Sequence, residues 1–386
     1  MLSGIAYFDN AATTFPKPEE VYTFMDKFYR ECGVNIGRSQ YNLAAKALNL
    51  VNETRELLLA LNHCSAKKVI FTHTATEALN MILRGINLSN GSNVYVSPFE
   101  HNAVMRTLHH IAQSKHINII TLAFDKTSFT YDIKKIGYQF AEQNPNLIVV
   151  SHASNVNGII SPISEITLLS KQYGAVNVID MCQTMGLVDT DLNGTNIDYT
   201  VFAGHKTLYA PFGVAGFVCS DDIDIEPLLY GGTGIDSESR TLPNTVPERY
   251  EVGSPNIMAI AGLNAALKWS RDIGLSKIFA IEQRNHFRLL DILGEFDNIR
   301  VIPQGAMDNA IGVVSCVFDG YGSDNIGQIL NEHDIAVRTG LHCAPDAHRF
   351  LGTFQGGTVR FSVSYFNNSN DFEQLYSVLE YIYKNS

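Results

Sequence analysis

Apolar and polar positions along this chain follow two rhythms. From residue 69 to residue 180, short apolar runs alternate with segments that are apolar every three or four positions, which predicts strands alternating with amphipathic helices. The order is typical of a largely parallel sheet with helices on both faces. The predicted strands are 69–72, 93–97, 118–122, 147–151 and 175–180, and the predicted helices between them are 76–88, 103–115, 133–143 and 163–173.

The flanking segments extend this pattern. Helical periodicity precedes it at 19–31 and 41–61, and strand patterns follow it at 199–203 and 213–219. The second of these strands is the candidate for an antiparallel direction. Residues 230–252 are rich in Gly, Ser, Thr and Pro and are interpreted as a loop, and a long loop in a compact enzyme is often functional.

The C-terminal part has its own pattern. Helices at 257–273 and 276–293 precede a tail of strand, helix, strand, strand and helix, at 311–318, 323–332, 336–338, 358–362 and 372–384. The predicted fold class is therefore α/β, with a large, mostly parallel sheet domain and a smaller α+β C-terminal domain. We place the large domain at residues 15–255. The small domain consists of residues 256–386 together with residues 1–14.

Composition narrows the function classes. The 386 residues include 28 Lys and Arg against 39 Asp and Glu, a net charge of −11, which argues against a general binder of nucleic acid or of an anionic membrane. The longest apolar run, 212–219, is far shorter than the ~20 residues of a spanning helix. No secretory leader pattern is present, so we expect a cytoplasmic protein. Six scattered cysteines without a CxxC pair fit neither a disulfide framework nor a zinc site, and no metal is predicted.

Candidate catalytic residues follow the ends of predicted strands. Lys206 follows a strand end and Gly204; a lysine desolvated there could form a Schiff base, and the alternative is a surface lysine on a loop. Asp180 closes another strand, where it could pair with the pyridinium nitrogen of a pyridoxal ring or cap the next helix. Gln183, three residues later, could bond the phenolic oxygen of that ring.

Three further segments have the same placement. Thr74-Ala75-Thr76-Glu77 lies between a strand and a helix, where amides and the Thr76 hydroxyl could hold a phosphate or form a capping box. His101 could stack on an aromatic cofactor or be an ordinary loop histidine. Asn155 could reach the cofactor or shape a turn. Because ligands bind beyond the carboxyl ends of strands in such sheets, these segments together indicate a pyridoxal-type cofactor site.

The tail contains a second constellation. Cys343 follows Arg338 by five residues, and Arg360 lies in the next predicted strand. Two arginines beside a cysteine suit a carboxylate clamp next to a thiol nucleophile, because guanidinium groups bind carboxylates in a fork and positive charge favours the thiolate. The alternative is a buried cysteine with two solvated arginines.

As an ordered set, these segments resemble a known family. The motifs that carry the resemblance are Phe8-Asp9-Asn10-Ala11-Ala12-Thr13-Thr14, Asn35-Ile36-Gly37-Arg38-Ser39, Ala75-Thr76-Glu77-Ala78, Glu100-His101-Asn102-Ala103-Val104, Asp180-Met181-Cys182-Gln183, Gly204-His205-Lys206, Arg338 to Pro345 and Gly357-Thr358-Val359-Arg360-Phe361-Ser362. Nearly end to end, the chain resembles the pyridoxal-phosphate class V aminotransferase-fold family, specifically its cysteine desulfurases and selenocysteine lyases. The segment that ends at Cys343 is similar to the group II, SufS-like branch.

The resemblance implies roles for individual residues. Lys206 would be the Schiff-base lysine, Asp180 the partner of the pyridine nitrogen, and Cys343 the group that attacks the substrate sulfur. Arg360 would clamp the substrate carboxylate, with Arg338 nearby. The other implied cofactor contacts are Gln183 at the phenolic oxygen, His101 stacked on the ring, Asn155 beside it, Ala75, Thr76 and His205 at the phosphate, and Gly253 and Ser254 reaching the phosphate from the other subunit of a homodimer.

Three departures from the family's pattern bear on these roles. Ala203 stands where many relatives have a phosphate-bonding Ser or Thr, which puts cofactor affinity in question. Asn35 and Ser39 lie in a substrate loop where SufS-like members have histidine, so substrate preference stays open. Cys182 occupies a position where small residues are usual, and we interpret it as inert.

The implied activity is that of a pyridoxal 5'-phosphate-dependent cysteine desulfurase of fold type I. It would convert L-cysteine to L-alanine, leave a persulfide on Cys343 and pass the sulfur to a thiol or an acceptor protein. L-selenocysteine is the alternative substrate, which a selenocysteine lyase would use. Two other hypotheses stay open. The chain could be a class V aminotransferase that does not use Cys343, or a cofactor-free sulfur-carrier scaffold.

Overall fold

The computed structural model of the protein describes residues 4–36, 41–235, 238–302 and 309–385. The strands are, in chain order, β1 (Ala6–Tyr7), β2 (Lys68–Thr72), β3 (Asn93–Val96), β4 (Asn118–Thr121), β5 (Phe124–Asp125), β6 (Thr130–Tyr131), β7 (Leu147–Ser151), β8 (Val176–Asp180), β9 (Tyr199–Ala203), β10 (Ala215–Cys219), β11 (Ile299–Ile302), β12 (Val313–Phe318), β13 (Ile335–Ala336), β14 (Arg338–Gly340) and β15 (Thr358–Ser362). The helices are α1 (Glu19–Cys32), α2 (Asn42–Leu61), α3 (Ala75–Gly85), α4 (Asn102–Lys115), α5 (Ile133–Glu142), α6 (Ile163–Lys171), α7 (Ile257–Ile273), α8 (Leu275–Gly294), α9 (Ser323–Glu332), α10 (Pro345–Leu351) and α11 (Ser369–Lys384).

The large sheet places many loops at one edge. Within the described residues its strand order is β2-β10-β9-β8-β7-β3-β4. Strand β10 is antiparallel to both of its neighbours, and the other pairs are parallel. Two antiparallel steps restore the direction, so β2 runs the same way as β9, β8, β7 and β3. The carboxyl ends of these strands therefore share one edge, where open α/β sheets bind ligands.

Apolar residues at consecutive positions bury this sheet on both faces. In β7, Leu147 and Val149 pack into one core, and Ile148 and Val150 pack into the core on the opposite face. Every residue of β7 is buried. This is the pattern of a parallel strand between two helical layers, and it gives the loops beyond the strand ends a rigid support.

The small sheet is antiparallel and includes the C-terminal strands. Its order is β11-β12-β15-β14, and its core includes Val314, Phe361 and Phe372. The N-terminal arm joins it through Asp9, which forms a bridge to Ser362 in β15, while β1 forms a separate two-stranded sheet with β13. The arm thus runs between the two sheets. The division into domains at residues 255 and 256 stays a prediction.

The pattern analysis locates the regular elements well. Each strand and helix predicted between residues 69 and 180 is confirmed to within three residues, and β10 is confirmed as antiparallel. The single strand predicted at 336–338 is wrong. The chain forms β13 and β14 there, on either side of Val337, because the first pairs with β1 and the second with β15.

Short elements escape the pattern analysis. The strands β1, β5, β6 and β11 and the helix α10 have no predicted counterpart. Helix α10 nevertheless has local signals, because Pro345 occupies its first turn and Gly352 ends it in a left-handed conformation. Among the described residues, no helix has both the length and the apolar character that crossing a bilayer requires.

Candidate active site

A cavity of about 290 Å³ opens at the carboxyl edge of the large sheet. Its wall also includes Ala11 from the N-terminal arm and Arg360 from the small sheet, so both sheets enclose it. Sequence segments far apart in the chain therefore meet at one point. The predicted site residues in its lining are Ala75, Thr76, His101, Asn155, Asp180, Gln183, His205, Lys206, Arg338 and Arg360.

Lys206 reaches the cavity from a tight turn after β9. The N–H of Gly204 donates to the carbonyl of Val214 at 3.0 Å. A Cβ at residue 204 would lie 2.6 Å from that oxygen, so the turn requires glycine. The carbonyl of His205 accepts a hydrogen bond from the Thr13 hydroxyl at 2.9 Å. The backbone around Lys206 is thus held by Val214, the residue before β10, and by the N-terminal arm.

Asp180 and Gln183 face the cavity from the end of β8. Asp180 Oδ1 accepts the N–H of Cys182 at 2.9 Å, which fixes the buried carboxylate at the strand end. Gln183 Nε2 donates to the carbonyl of Ala11 at 2.9 Å. A ring bound in the cavity would therefore meet a fixed carboxylate and a fixed amide.

His101 presents an uncharged ring to the cavity. It caps the N-terminus of α4, where its Nδ1 accepts the N–H of Ala103 at 3.0 Å. That bond requires an unprotonated Nδ1. Burial and the positive charge of Lys206, only partly opposed by Asp180, together lower the pKa of His101 to about 4. A neutral imidazole with a fixed tautomer suits stacking on an aromatic cofactor.

One end of the cavity has the properties of an anion site. Helix α3 begins there, and Thr74 caps it by accepting the N–H of Glu77 at 3.1 Å. Glu77 Oε2 accepts the N–H of His73 at 3.0 Å rather than that of Thr74, so only half of the capping-box alternative is present. The amides of Ala75 and Thr76 lie in the first turn, where helix N–H groups have no intrahelical partner. His205 also lines this cavity, and Phe212 stacks on its ring at 4.5 Å.

Arg360 is buried in the wall of the cavity and is held by two neighbours. Its Nη2 contacts Asp9 Oδ1 at 2.7 Å, and its Nη1 donates to the carbonyl of Asn155 at 2.9 Å. Its Nε has no hydrogen-bond partner among the described residues. The solvated-arginine alternative is therefore wrong for Arg360, because only 1% of its side chain is exposed.

Cys343 lies next to the cavity and, unlike the other cysteines, is not fully buried. Arg338 Nη2 contacts its Sγ at 3.2 Å. Its carbonyl accepts the N–H of Asn102 at 2.7 Å, which ties the segment to the start of α4. Cys343 is not itself in the cavity lining, but its neighbours Arg338 and His342 are. The partly exposed thiol thus lies beside the cavity, next to a guanidinium group that lines it.

Three predicted residues lie away from the cavity in the single chain. Asn35 Nδ2 donates to Ser254 Oγ at 3.3 Å, and the N–H of Gly253 donates to the carbonyl of Gly232 at 2.7 Å. None of the three is in the cavity lining, so their roles stay predictions. Ser39, with Gly37 and Arg38 of the same motif, lies outside the described residues.

The structure adds residues to which the sequence analysis gave no role. Asp9 is the ion-pair partner of Arg360, and His342 lines the cavity. Both lie inside recognised motifs, which was the available signal. Cys182 also lines the cavity, and burial raises the pKa of its thiol well above the usual range, which supports the interpretation that it is inert. Ala203 brings no hydroxyl to the lining.

The cavity fits pyridoxal phosphate. Lys206 and Asp180 supply the amine and the carboxylate that such a ring needs, and the α3 N-terminus supplies free amides for a phosphate. His205 lines the cavity, and its buried Nδ1 has no hydrogen-bond partner among the described residues. Burial, with the charges of Lys206 and Lys17, lowers the pKa of His205 to about 3. An unpartnered polar atom at the anion end is the kind of group that a ligand completes.

A family model matches almost the whole chain. Residues 6–375 match the model described as aminotransferase class-V. The chain is 30% identical over 390 residues to a probable cysteine desulfurase of Pyrococcus abyssi, covering 98% of this chain and 94% of that relative. It is 29% identical over 388 residues to a probable cysteine desulfurase of Methanothermobacter thermautotrophicus, covering 99% and 96%.

Solved structures agree with the fold. An apo cysteine desulfurase from Thermococcus onnurineus superposes with a TM-score of 0.92 at 27% identity, covering 99% of this chain and 95% of that one. The cysteine desulfurase CsdA of Escherichia coli superposes with a TM-score of 0.87 at 24% identity, covering 100% and 96%. The predicted α/β fold of type I is confirmed.

Proposed function

The chain belongs to the aminotransferase class-V family, and from that membership we propose that it is a pyridoxal-phosphate-dependent cysteine desulfurase. The observation that carries the proposal is the position of Cys343. Its partly exposed thiol lies 3.2 Å from Nη2 of Arg338, which lines the same cavity as Lys206 and Asp180. An aminotransferase has no need of a thiol at that place.

The residues of the cavity would hold the cofactor in a defined orientation. Lys206 would bind its aldehyde carbon, Asp180 would keep its ring nitrogen protonated, and His101 would stack on the ring. The phosphate would lie at the α3 N-terminus beside His205, with Ala75 and Thr76 as donors, and Gln183 would contact the phenolic oxygen. When bound, pyridoxal phosphate supplies an electron-poor ring that accepts an electron pair from the substrate Cα.

The substrate would be oriented by its carboxylate. Arg360 is buried and is held by Asp9 and Asn155, so its guanidinium cannot swing away when a carboxylate arrives. Arg338 lies in the same wall. With the carboxylate fixed, the side chain of L-cysteine would point toward Cys343, and Lys206 Nζ would take the proton from Cα.

The sulfur step balances without an external oxidant. The Cys343 thiolate attacks the substrate sulfur, the S–S bond forms and the Cβ–S bond breaks. The two sulfurs are each oxidised by one unit, and the β-carbon is reduced by two and takes up a proton. The products are L-alanine and a persulfide on Cys343. A thiol or an acceptor protein would then remove the outer sulfur.

Two further features belong to this proposal. All six cysteines are free in the described part of the chain, which supports a reducing, cytoplasmic compartment. Gly253 and Ser254 are not in the cavity lining of their own chain, which supports a contact with the phosphate of a partner subunit in a homodimer.

The test is alanine formation in a single turnover from L-cysteine, without an added thiol. We expect about one alanine per active site from the wild type and almost none from Cys343→Ala, since the sulfur then has no acceptor. Cys64→Ala is the matched control, because Cys64 is buried at the end of α2 and should leave the yield unchanged.

Two outcomes would contradict the proposal. If Cys343→Ala forms alanine from cysteine like the wild type, the thiol is not the sulfur acceptor. If neither protein forms alanine but amino groups move to a keto acid, the chain is an aminotransferase. A parallel reaction with L-selenocysteine separates desulfurase from lyase, because a lyase would turn over selenocysteine and barely use cysteine.

A further inference from the structure

A chain of hydrogen bonds lies directly beneath Cys343. Ser315 Oγ donates to the carbonyl of Val156 at 2.6 Å. Thr358 Oγ1 donates to Ser315 Oγ at 3.1 Å. The ring of His342, the residue before Cys343, contacts Thr358 Oγ1 through Nε2 at 2.7 Å. All four residues are buried. The chain links the Cys343 segment to both central strands of the small sheet and to the loop after β7.

The directions of these bonds determine the tautomer of His342. The carbonyl of Val156 can only accept, so the single hydroxyl proton of Ser315 is donated to it. Thr358 must therefore donate to Ser315, and its own oxygen must accept from His342. The proton of the imidazole is thus on Nε2. Burial, with the charges of Arg360 and Arg338, lowers the pKa of His342 to about 2, so the ring stays neutral.

The backbone of the same segment is held in an unfavourable conformation. His342 and Cys343 have φ values of +49° and +58°, in the left-handed region that non-glycine residues avoid. Such a conformation persists only when its surroundings hold it. The carbonyl of His342 accepts from Asn155 Nδ2 at 2.7 Å, and the carbonyl of Cys343 accepts from Asn102. The ring of His342 supplies the side-chain anchor from below.

We propose that His342 is a positioning residue for the sulfur step: its Nε2–H, bonded to Thr358, holds Cys343 in place beside the cavity. This inference rests on the proposed function, because it concerns the approach of the Cys343 thiol to the substrate. The approach needs a placement accurate to about 1 Å, and an error of that size costs up to about a hundredfold in rate.

Thr358 offers the sharpest test, because two substitutions of similar size separate its hydroxyl from its bulk. Thr358→Val keeps the branched shape and removes the acceptor for His342. Thr358→Ser keeps the acceptor. We expect Thr358→Val to lower kcat for alanine formation about tenfold or more with KM for cysteine changed less than about twofold, and Thr358→Ser to restore most of kcat.

A readout that does not depend on turnover accompanies the kinetics. Pyridoxal-phosphate affinity, followed by the absorbance of the bound cofactor, should be the same in the wild type and in both Thr358 variants. A structural role would lower affinity, thermal stability and kcat together in both variants. His342→Gln and His342→Ala form a second pair of variants for the same test. Gln retains an N–H near the position of Nε2, so His342→Gln should keep more of kcat than His342→Ala.

The outcomes distinguish this inference from the proposed function. If the wild type forms no alanine from cysteine, the proposed function fails. If the wild type forms alanine and Thr358→Val matches it in kcat, the positioning role of His342 is wrong. The role is also wrong if Thr358→Ser is as impaired as Thr358→Val, or if KM rises in parallel with the fall in kcat.

Discussion

Glu282 shows, at the scale of one residue, how burial alters protonation without a catalytic reason. It lies on α8, and its Oε1 accepts the N–H of Gly312 at 3.3 Å. Burial outweighs the effect of this hydrogen bond, so that the pKa of Glu282 is raised from 4.5 to about 8. The carboxyl group is therefore protonated at neutral pH, although it is far along the chain from the cavity residues of the large sheet.

Glu282 should make the stability of the protein depend on pH. Its pKa is higher in the folded chain than in the unfolded chain, so its neutral form stabilises the fold fully below about pH 4.5, and this contribution is lost as pH rises through about 8. We expect Glu282→Gln to be more stable than the wild type at pH 9, by a few kcal/mol at most, and to match it at low pH. Urea unfolding at both pH values measures the difference.

The control for this measurement is Glu165→Gln, since Glu165 is exposed on α6. It should leave the pH profile of the wild type unchanged. Parallel profiles for Glu282→Gln and the wild type would show that Glu282 is not neutral in the fold.

Sequence patterns identify residue types at the cavity but not their charge states. The motifs around His101 and His205 name both side chains, yet their neutrality depends on burial by segments from the other end of the chain. The same limit hid the role of Asp9. Its contact with Arg360 joins residues 351 positions apart. A local sequence pattern cannot predict a pair at that separation.

At the scale of elements, the segment between β14 and α10 depends on two glycines. Gly340 ends β14 with φ +90°, and Gly357 precedes β15 with φ +63°. A Cβ at Gly357 would lie 2.5 Å from the carbonyl carbon and oxygen of Gly340. This close approach of two backbones starts the turn that carries Cys343.

Gly357→Ala should therefore displace the turn that carries Cys343. The added Cβ meets backbone, and the positive φ adds strain, so we expect a loss of about 1–3 kcal/mol in unfolding free energy and a fall in alanine formation. Gly356→Ala is the matched control, because a Cβ there has nothing within 4 Å and no positive φ is involved. Equal stability and equal activity of the two variants would show that the turn does not need this close approach.

Helices and strands whose sequence pattern is local could be predicted, and strands that depend on a distant pairing partner could not. The strands between residues 69 and 180 depend on short apolar runs, which are visible in the sequence wherever the strand lies in the sheet. The central strand β7 is buried at every residue, whereas the edge strand β4 has no fully buried residue. The pair β1 and β13 consists of two residues each, joined across more than 300 positions. A strand of two residues is too short to show a periodic pattern. It is extended because it pairs with a partner strand, and the sequence around it does not show that partner.

At the scale of the whole molecule, the cavity of one chain adjoins exposed apolar surface. Phe212, whose ring stacks on the cavity residue His205, is 65% exposed. Large exposed aromatic side chains beside a cavity favour contact with another protein surface. The sequence indicated a partner subunit only through the resemblance, because the residues of an interface carry no periodicity of their own.

If Gly253 serves the site of the partner subunit, two inactive chains should restore each other. Lys206→Ala disables the site of its own chain. Gly253→Val strains a position with φ +87° and should disable the site of its partner. Co-expressed with different tags and isolated by both, the mixed dimer would have one site with an intact Lys206 and an intact Gly253. We expect about half of the wild-type activity from it, against almost none from either parent dimer.

The decisive control is a mixed dimer of Lys206→Ala and Cys343→Ala. Lys206 and the residues beside Cys343 line one cavity within one chain, so each site of this dimer lacks one of the two groups and should stay inactive. Recovery in the first pair and not in the second would support a shared site in which only the Gly253 loop crosses between subunits. If the first mixed dimer is as inactive as its parents, Gly253 serves the site of its own chain. If no mixed dimer can be isolated, the prediction of a homodimer is wrong.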